Sequence, residues 1–161
     1  MLLEARAADC FSSTFVLKAD GRPVGKFEGQ WLSESLDIHL TGRRRLQFEK
    51  LGWLGSRFVL RDVTAGPLGT ADRSGVFTSA WDLGLSTGPG RLEKEDWLGS
   101  AYLLRQDGEV NAKVDRTGWC ERGWQVEGGL HEEDLLLIGL IYHTIARRAS
   151  QAQAAAHPAG S

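Results

Sequence analysis

Cysteine is nearly absent: the 161 residues hold two, Cys10 and Cys120. That is too few for a disulfide framework or a structural metal site. Both fall in strand-like stretches, which predicts two small buried hydrophobes and a reducing, cytoplasmic setting. An excess of one charge is missing too. Nineteen Lys and Arg stand against 21 Asp and Glu, a net charge of −2, so no general attraction to nucleic acid is expected. There is no apolar run of the roughly 20 residues that a helix needs to cross a bilayer. Charge enters Met1-Leu2-Leu3-Glu4-Ala5-Arg6 too early for a secretory leader, so none is expected.

Catalytic patterns are also missing. Gly66-Pro67-Leu68-Gly69 lacks the Lys-Ser/Thr ending of a phosphate-cradling loop, and no nucleophile elbow occurs. His39, His131, His143 and His157 are scattered without metal-ligand spacing. Asp37 and Asp82 fall on matching strands, yet nothing pairs an acid with a base. These absences predict a non-enzymatic protein with no catalytic residues, no metal and no cofactor.

What is present is repetition. Residues 48–61, FEKLGWLGSRFVLR, align with residues 92–105, LEKEDWLGSAYLLR, at a shift of 44 with eight of fourteen positions identical. The match resumes at a shift of 43, pairing Asp72 with Asp115, Arg73 with Arg116, Gly75 with Gly118 and Trp81 with Trp124. A fainter copy lies at a shift of 87, where Phe15-Val16-Leu17-Lys18 falls on Tyr102-Leu103-Leu104-Arg105 and Asp20-Gly21 on Asp107-Gly108. Three copies are therefore expected, at about 2–45, 46–89 and 90–129.

Each copy reads as four strands. The opening ones are predicted at Leu2–Arg6, Leu46–Lys50 and Arg91–Lys94. The next alternate Phe15/Leu17, Phe58/Leu60 or Tyr102/Leu104 on an inner face. Asp20-Gly21 and Asp107-Gly108 tolerate the positive φ of tight hairpins, and Thr64-Ala65-Gly66 turns with one extra residue. Return strands place Pro23/Gly25/Phe27, Pro67/Gly69/Ala71 and Val110/Ala112/Val114 inside, their small central residues predicting a close neighbour. Closing strands are predicted at Ser35–Leu40, Ala80–Leu85 and Gly123–Glu127. Twelve antiparallel strands can close a barrel and leave no edge.

From Leu130 the period changes. His131-Glu132-Glu133-Asp134 precedes an apolar run, Leu135 to Ala146, and Arg147-Arg148 follow. Acids at the start and arginines at the end suit a helix over about 131–148. The run is apolar on every side, so it must be buried. At 12 residues it is too short for a bilayer, and a barrel lined by Gly25, Gly69 and Ala112 offers a socket, with Gly139 allowing close approach. The polar, Ala-rich residues 150–161 are expected to be a disordered tail after a single domain, 1–149.

The hairpin units Phe15–Gly21 and Tyr102–Gly108, with the helix Leu135–Ala146, resemble those of the tubby-like superfamily of tubby C-terminal domains, LURP-one-related proteins and phospholipid scramblases. The likeness spans about residues 2–148 and is similar to small bacterial members without an assigned role. It implies an all-β fold: a twelve-stranded antiparallel closed barrel with a hydrophobic C-terminal helix through its centre. Tubby domains bind phosphoinositide headgroups through basic surface residues, and scramblases associate with membranes and calcium. Neither site has a residue-by-residue match in this chain. A β-trefoil-like fold is the rival with the same strand count.

Arg43-Arg44-Arg45, with Lys50 nearby, is the densest basic cluster and the candidate lipid- or phosphate-binding site. The blander reading is a solvated loop between two copies. Trp31, Trp53, Trp81, Trp97, Trp119 and Trp124 are expected in core or turn packing, and His143 as a hydrogen-bonded core residue. The resulting expectation is a monomeric binding module at an anionic lipid or membrane surface, cytoplasmic or peripheral to the membrane. A protein-interaction domain with an unidentified protein partner is the alternative.

Overall fold

Alternating side chains along short strands can bury one face only if the sheet wraps around something apolar. In the computed structural model, which describes residues 1–30, 33–52, 56–73, 75, 79–117 and 122–156, it wraps around the C-terminal helix. The strands are β1 (Leu2–Ala7), β2 (Thr14–Ala19), β3 (Arg22–Glu28), β4 (Leu36–Leu40), β5 (Arg45–Leu51) and β6 (Arg57–Asp62). They continue with β7 (Gly66–Arg73), β8 (Trp81–Leu85), β9 (Gly88–Lys94), β10 (Tyr102–Gln106), β11 (Glu109–Thr117) and β12 (Gly123–Gly128). One helix, α1 (Glu132–Ala156), follows.

Every strand pairs antiparallel with its sequence neighbours, and β1 closes on β12 through Leu2↔Glu127 to Ala5↔Trp124. The twelve strands thus form one up-and-down closed barrel among the described residues. A β-trefoil is excluded by that unbroken ring. Phe15, Leu17, Phe58, Leu60, Tyr102 and Leu104 point inward and are buried, as their alternation predicts.

The return strands differ from expectation in one respect. The register shifts between Leu17/Lys18, Leu60/Arg61 and Leu104/Arg105, at positions that the sequence copies superimpose. Each shift sets two residues of the return strand against one partner, and so breaks the alternation. Pro23, Pro67 and Val110 are consequently exposed instead of lining the interior, while Val24 and Leu68 turn toward the core.

Inside the ring, residues Leu135 to Tyr142 are buried without a break. The helix touches β12, β11 and β1 on one arc and β7 on the opposite arc, so it occupies the barrel's centre. Close approach is built in from both sides. A Cβ on Gly69 would lie 2.9 Å from Leu137 Cδ2, and one on Gly139 would lie 2.0 Å from Trp124 Cζ3. Gly25 is small for another reason: its crowding comes from the β4 backbone, with His39 O 2.5 Å from a built Cβ.

The helix also outruns its predicted end near residue 148. Residues 149–156, ASQAQAAA, continue it instead of forming a disordered tail, because Ala and Gln carry high helix propensity even where nothing packs on them. Residues 157–161 lie outside the described residues. Among the described residues, no helix is long and apolar enough to cross a membrane.

Candidate functional site

Antiparallel topology sorts the connections to two ends. At the proximal end, where α1 begins, five short turns surround the helix start. There the buried Asp134 carboxylate accepts hydrogen bonds from the Ser86 N–H at 2.9 Å and the Ser86 hydroxyl at 2.5 Å.

The arginine cluster lies at this end, in the β4–β5 turn, but its three members are not equivalent. Arg44 is engaged: Nε donates to Asp62 Oδ2 at 2.7 Å and a terminal nitrogen donates to Glu133 at 3.0 Å. The Arg44 hydrogen bond to Asp62, with those from the Thr64 and Ala65 N–H groups, lowers the Asp62 pKa to about 2. Arg44 therefore ties two turns to the helix start. Arg43 and Arg45 are exposed, and their side chains have no hydrogen-bond or ion-pair partner among the described residues. Lys50 does not join them. It stands five residues further along β5, roughly 17 Å away at strand spacing, and pairs with Glu34 at 2.8 Å.

Glu34 clamps the opposite, distal end. Its carboxylate takes Arg148 at 2.6 Å and Lys50 at 2.8 Å. Burial pushes the Glu34 pKa up, but the Arg148 and Lys50 hydrogen bonds outweigh it and bring the pKa to about 2. The Arg148 guanidinium also lies over the Phe58 and Trp81 rings, at 5.7 and 5.8 Å. Next to it, Arg147 donates to the Ser33 carbonyl at 2.7 Å and to the Gln30 carbonyl. The emerging helix is thus moored to the β3–β4 connection.

The distal end carries the exposed apolar side chains. Phe11 in the β1–β2 connection is 97% exposed, and Trp97 and Leu98 in the β9–β10 connection are 83% and 79% exposed. Both loop tips are held by an aspartate two residues earlier. Asp9 accepts the Phe11 N–H at 2.8 Å, and Asp96 accepts the Leu98 N–H at 2.9 Å. Trp97 is therefore a correction to the expectation of six packed tryptophans. Trp81 and Trp124 are core residues, whereas Trp31, Trp53 and Trp119 lie outside the described residues. In sequence, the other four distal connections also carry a large aromatic: Trp31, Trp53, Phe77 and Trp119.

A cavity of about 570 Å³ opens beside the emerging helix at this end, walled by Phe15, Arg122, His143, Ala146, Arg147 and Ala154 among others. His143 is not the hydrogen-bonded core histidine expected. It is half-buried and meets the stacked Phe15–Phe27 pair edge-on, at 4.9 Å from Phe15 and 5.3 Å from Phe27, and it has no hydrogen-bond partner among the described residues. Burial, with Arg147 and Arg122 nearby, lowers its pKa to about 4, so the ring is neutral at pH 7. Arg122 donates to the Cys10 carbonyl at 2.8 Å and lies 5.5 Å from the Phe15 ring centre. It has no carboxylate partner among the described residues.

Cys10 itself overturns another expectation: it is half-buried and disulfide-bonded, not a free buried thiol. Cys120, the chain's other cysteine, lies outside the described residues. Among the described residues, no three His, Cys, Asp or Glu side chains gather to hold a metal ion.

No known family matches the sequence, and no curated protein does. One solved structure shares the fold. It is the X-ray structure of an Arabidopsis thaliana protein, superposed with a TM-score of 0.61 at 14% identity over 91% of this chain and 92% of that one. That protein has a tubby-like, LURP-type fold, likewise a closed twelve-strand barrel. At that identity the likeness shows the fold alone.

Proposed function

We propose that this chain is a distant member of the tubby-like superfamily and a non-enzymatic module that docks on membrane surfaces by its distal end. The carrying observation is the exposure of Phe11, Trp97 and Leu98 on two separate loops at one end of the barrel. Large apolar side chains left in water are costly, at about 1.5–3 kcal/mol each when fully buried instead. Trp is favoured at the membrane–water interface, where its apolar ring and polar N–H meet two environments. Side chains from separate loops around one rim suit a flat partner better than a narrow groove. A compartment is not part of the proposal, since the disulfide at Cys10 removes the cysteine argument for a reducing one.

Arg43 and Arg45 mark a competing headgroup site, because both are exposed and unpartnered among the described residues at the other end. Vesicle sedimentation separates the two ends. On vesicles of mixed zwitterionic and anionic phospholipid, the Phe11→Ser, Trp97→Ser double variant is expected to bind at least about tenfold more weakly than the native chain. Arg43→Ala, Arg45→Ala, which spares the structural Arg44, is expected to pellet as the native chain does. The reverse pattern would place lipid contact at the arginine turn, and equal pelleting of all three would remove the docking proposal.

A further inference from the structure

We infer that the distal cavity is a binding site for a single-chain amphiphile with an anionic head, its chain along the helix and its head at Arg122. This goes beyond membrane docking, because the ligand enters the protein as a monomer and the exposed loop tips are not part of the cavity wall.

Three observations carry it. First, the cavity has the volume of a small-molecule site: about 570 Å³, within the roughly 300–1,000 Å³ usual for such sites. Most of the exposed wall area is apolar, with Phe15, Ala146 and Ala154 contributing, which suits an alkyl chain, while Arg122, His143 and Arg147 supply polar groups for a head. Second, Arg122 brings a positive charge to the wall without a carboxylate partner among the described residues. Its acceptor among the described residues is a neutral carbonyl, that of Cys10, so donors in the guanidinium fork remain for an anion. Third, His143 supplies a neutral ring with unspent hydrogen-bonding capacity on the same wall. Arg122, with Arg147 as a second cation on the wall, and the unpartnered imidazole all gain from a ligand that brings oxygen atoms with it.

A fatty carboxylate and a monoalkyl phosphate share this chemistry. Calorimetric titration of the full chain with decanoate and decyl phosphate, each below its micelle concentration, and with decanol below its solubility limit, tests it. At least one of the two anions is expected to bind with one-to-one stoichiometry, and which one identifies the head. Decanol, with the same chain and no charge, is expected to bind at least about tenfold more weakly. Arg122→Gln should bring the anion down to the level of decanol. Ala146→Phe, at an exposed helix position on the cavity wall, should block the chain while leaving the thermal unfolding midpoint near the native value. Ala154→Phe, further along the exposed helix, is the second blocking variant should the first unfold. Equal binding of decanol and the anions, unchanged binding in a folded blocking variant, or no binding of either anion would overturn the inference. None of these outcomes depends on vesicles, so this site and the docking surface can fail separately.

Discussion

Gly139→Leu is expected to abolish folding, and Gly139→Ala to destabilise the barrel by about 1–3 kcal/mol, the usual cost of overpacking a core. The reason is local. A Cβ at this position would lie 2.0, 2.2 and 2.7 Å from Trp124 Cζ3, Cη2 and Cε3, far inside contact distance. Trp124 is enclosed by the barrel and stacks on Phe27 at 6.5 Å, so it has little room to withdraw. On an isolated helix the change would help, since Ala is favoured over Gly by about 1 kcal/mol. The sign of the effect therefore reports whether this face meets a wall. Trp124→Phe removes most of the opposing ring. It also removes an indole N–H that is buried without a hydrogen-bond partner among the described residues, so no polar contact is lost with it. In that background Gly139→Ala should cost markedly less, with a coupling of about 0.5–3 kcal/mol in a denaturant double-mutant cycle. Additive effects would separate the two residues.

Acidification from pH 7 to about 4.5 is expected to cost the native chain about 2 kcal/mol through His143. The ring titrates at about 4 in the folded protein against an ordinary 6.5. Between those values the unfolded chain holds the extra proton and the folded chain does not, so stability falls as pH drops through that window and levels off below about 4. Phe15 and Phe27 face the ring from the barrel wall, while Arg122 and Arg147 are the nearby cations that oppose its charging. Glu34 and Asp62 act in a lower window. Each is held at about 2, so their contributions are present above the ordinary carboxylate range and fade as pH falls toward that value. Urea midpoints at pH 7 and pH 4.5 for the native chain and His143→Gln check the assignment. The variant should show most of the native pH dependence removed, and an unchanged dependence would assign the proton elsewhere.

Much of the barrel is legible before any coordinates. Asp20-Gly21 and Asp107-Gly108 do adopt positive φ at both residues of each pair, as two-residue hairpins require. A helix that is apolar all round, as Leu135–Tyr142 is, has only an interior to occupy, and the Gly139 contact with Trp124 is the close approach that a mid-helix glycine suggests. The misplaced residues share a physical cause: they are set by neighbours distant in sequence. Strict period two puts Pro23, Pro67 and Val110 on the inner face, and a bulge interrupts that period without a composition cue. Arg44 looks like its two arginine neighbours until Asp62 and Glu133, 18 and 89 residues away, are brought to it.

The distal site leaves a weaker mark on the sequence. Trp97 sits in the repeated Trp-Leu-Gly-Ser, and repetition suggests a packing role. Only the alternation of connections between two ends reveals that Phe11, Trp97 and Leu98 share one rim. The sequence does carry one cue: counted against the strands, every connection at that end holds a Phe or Trp. Arg122 and His143, 21 residues apart, carried no cue at all, because a cavity between a helix and a barrel mouth has no period.

Quenching of tryptophan fluorescence by vesicles of brominated phospholipid probes the distal surface most directly. Trp81 and Trp124 are enclosed in the barrel and should stay bright, whereas Trp97 stands in the solvent at the rim. If the rim seats in the interface, vesicles should quench part of the native emission, Trp97→Phe should lower the quenched fraction, and Arg43→Ala, Arg45→Ala should leave it unchanged. Emission that ignores brominated lipid, or quenching that is the same with and without Trp97, would contradict docking by this end.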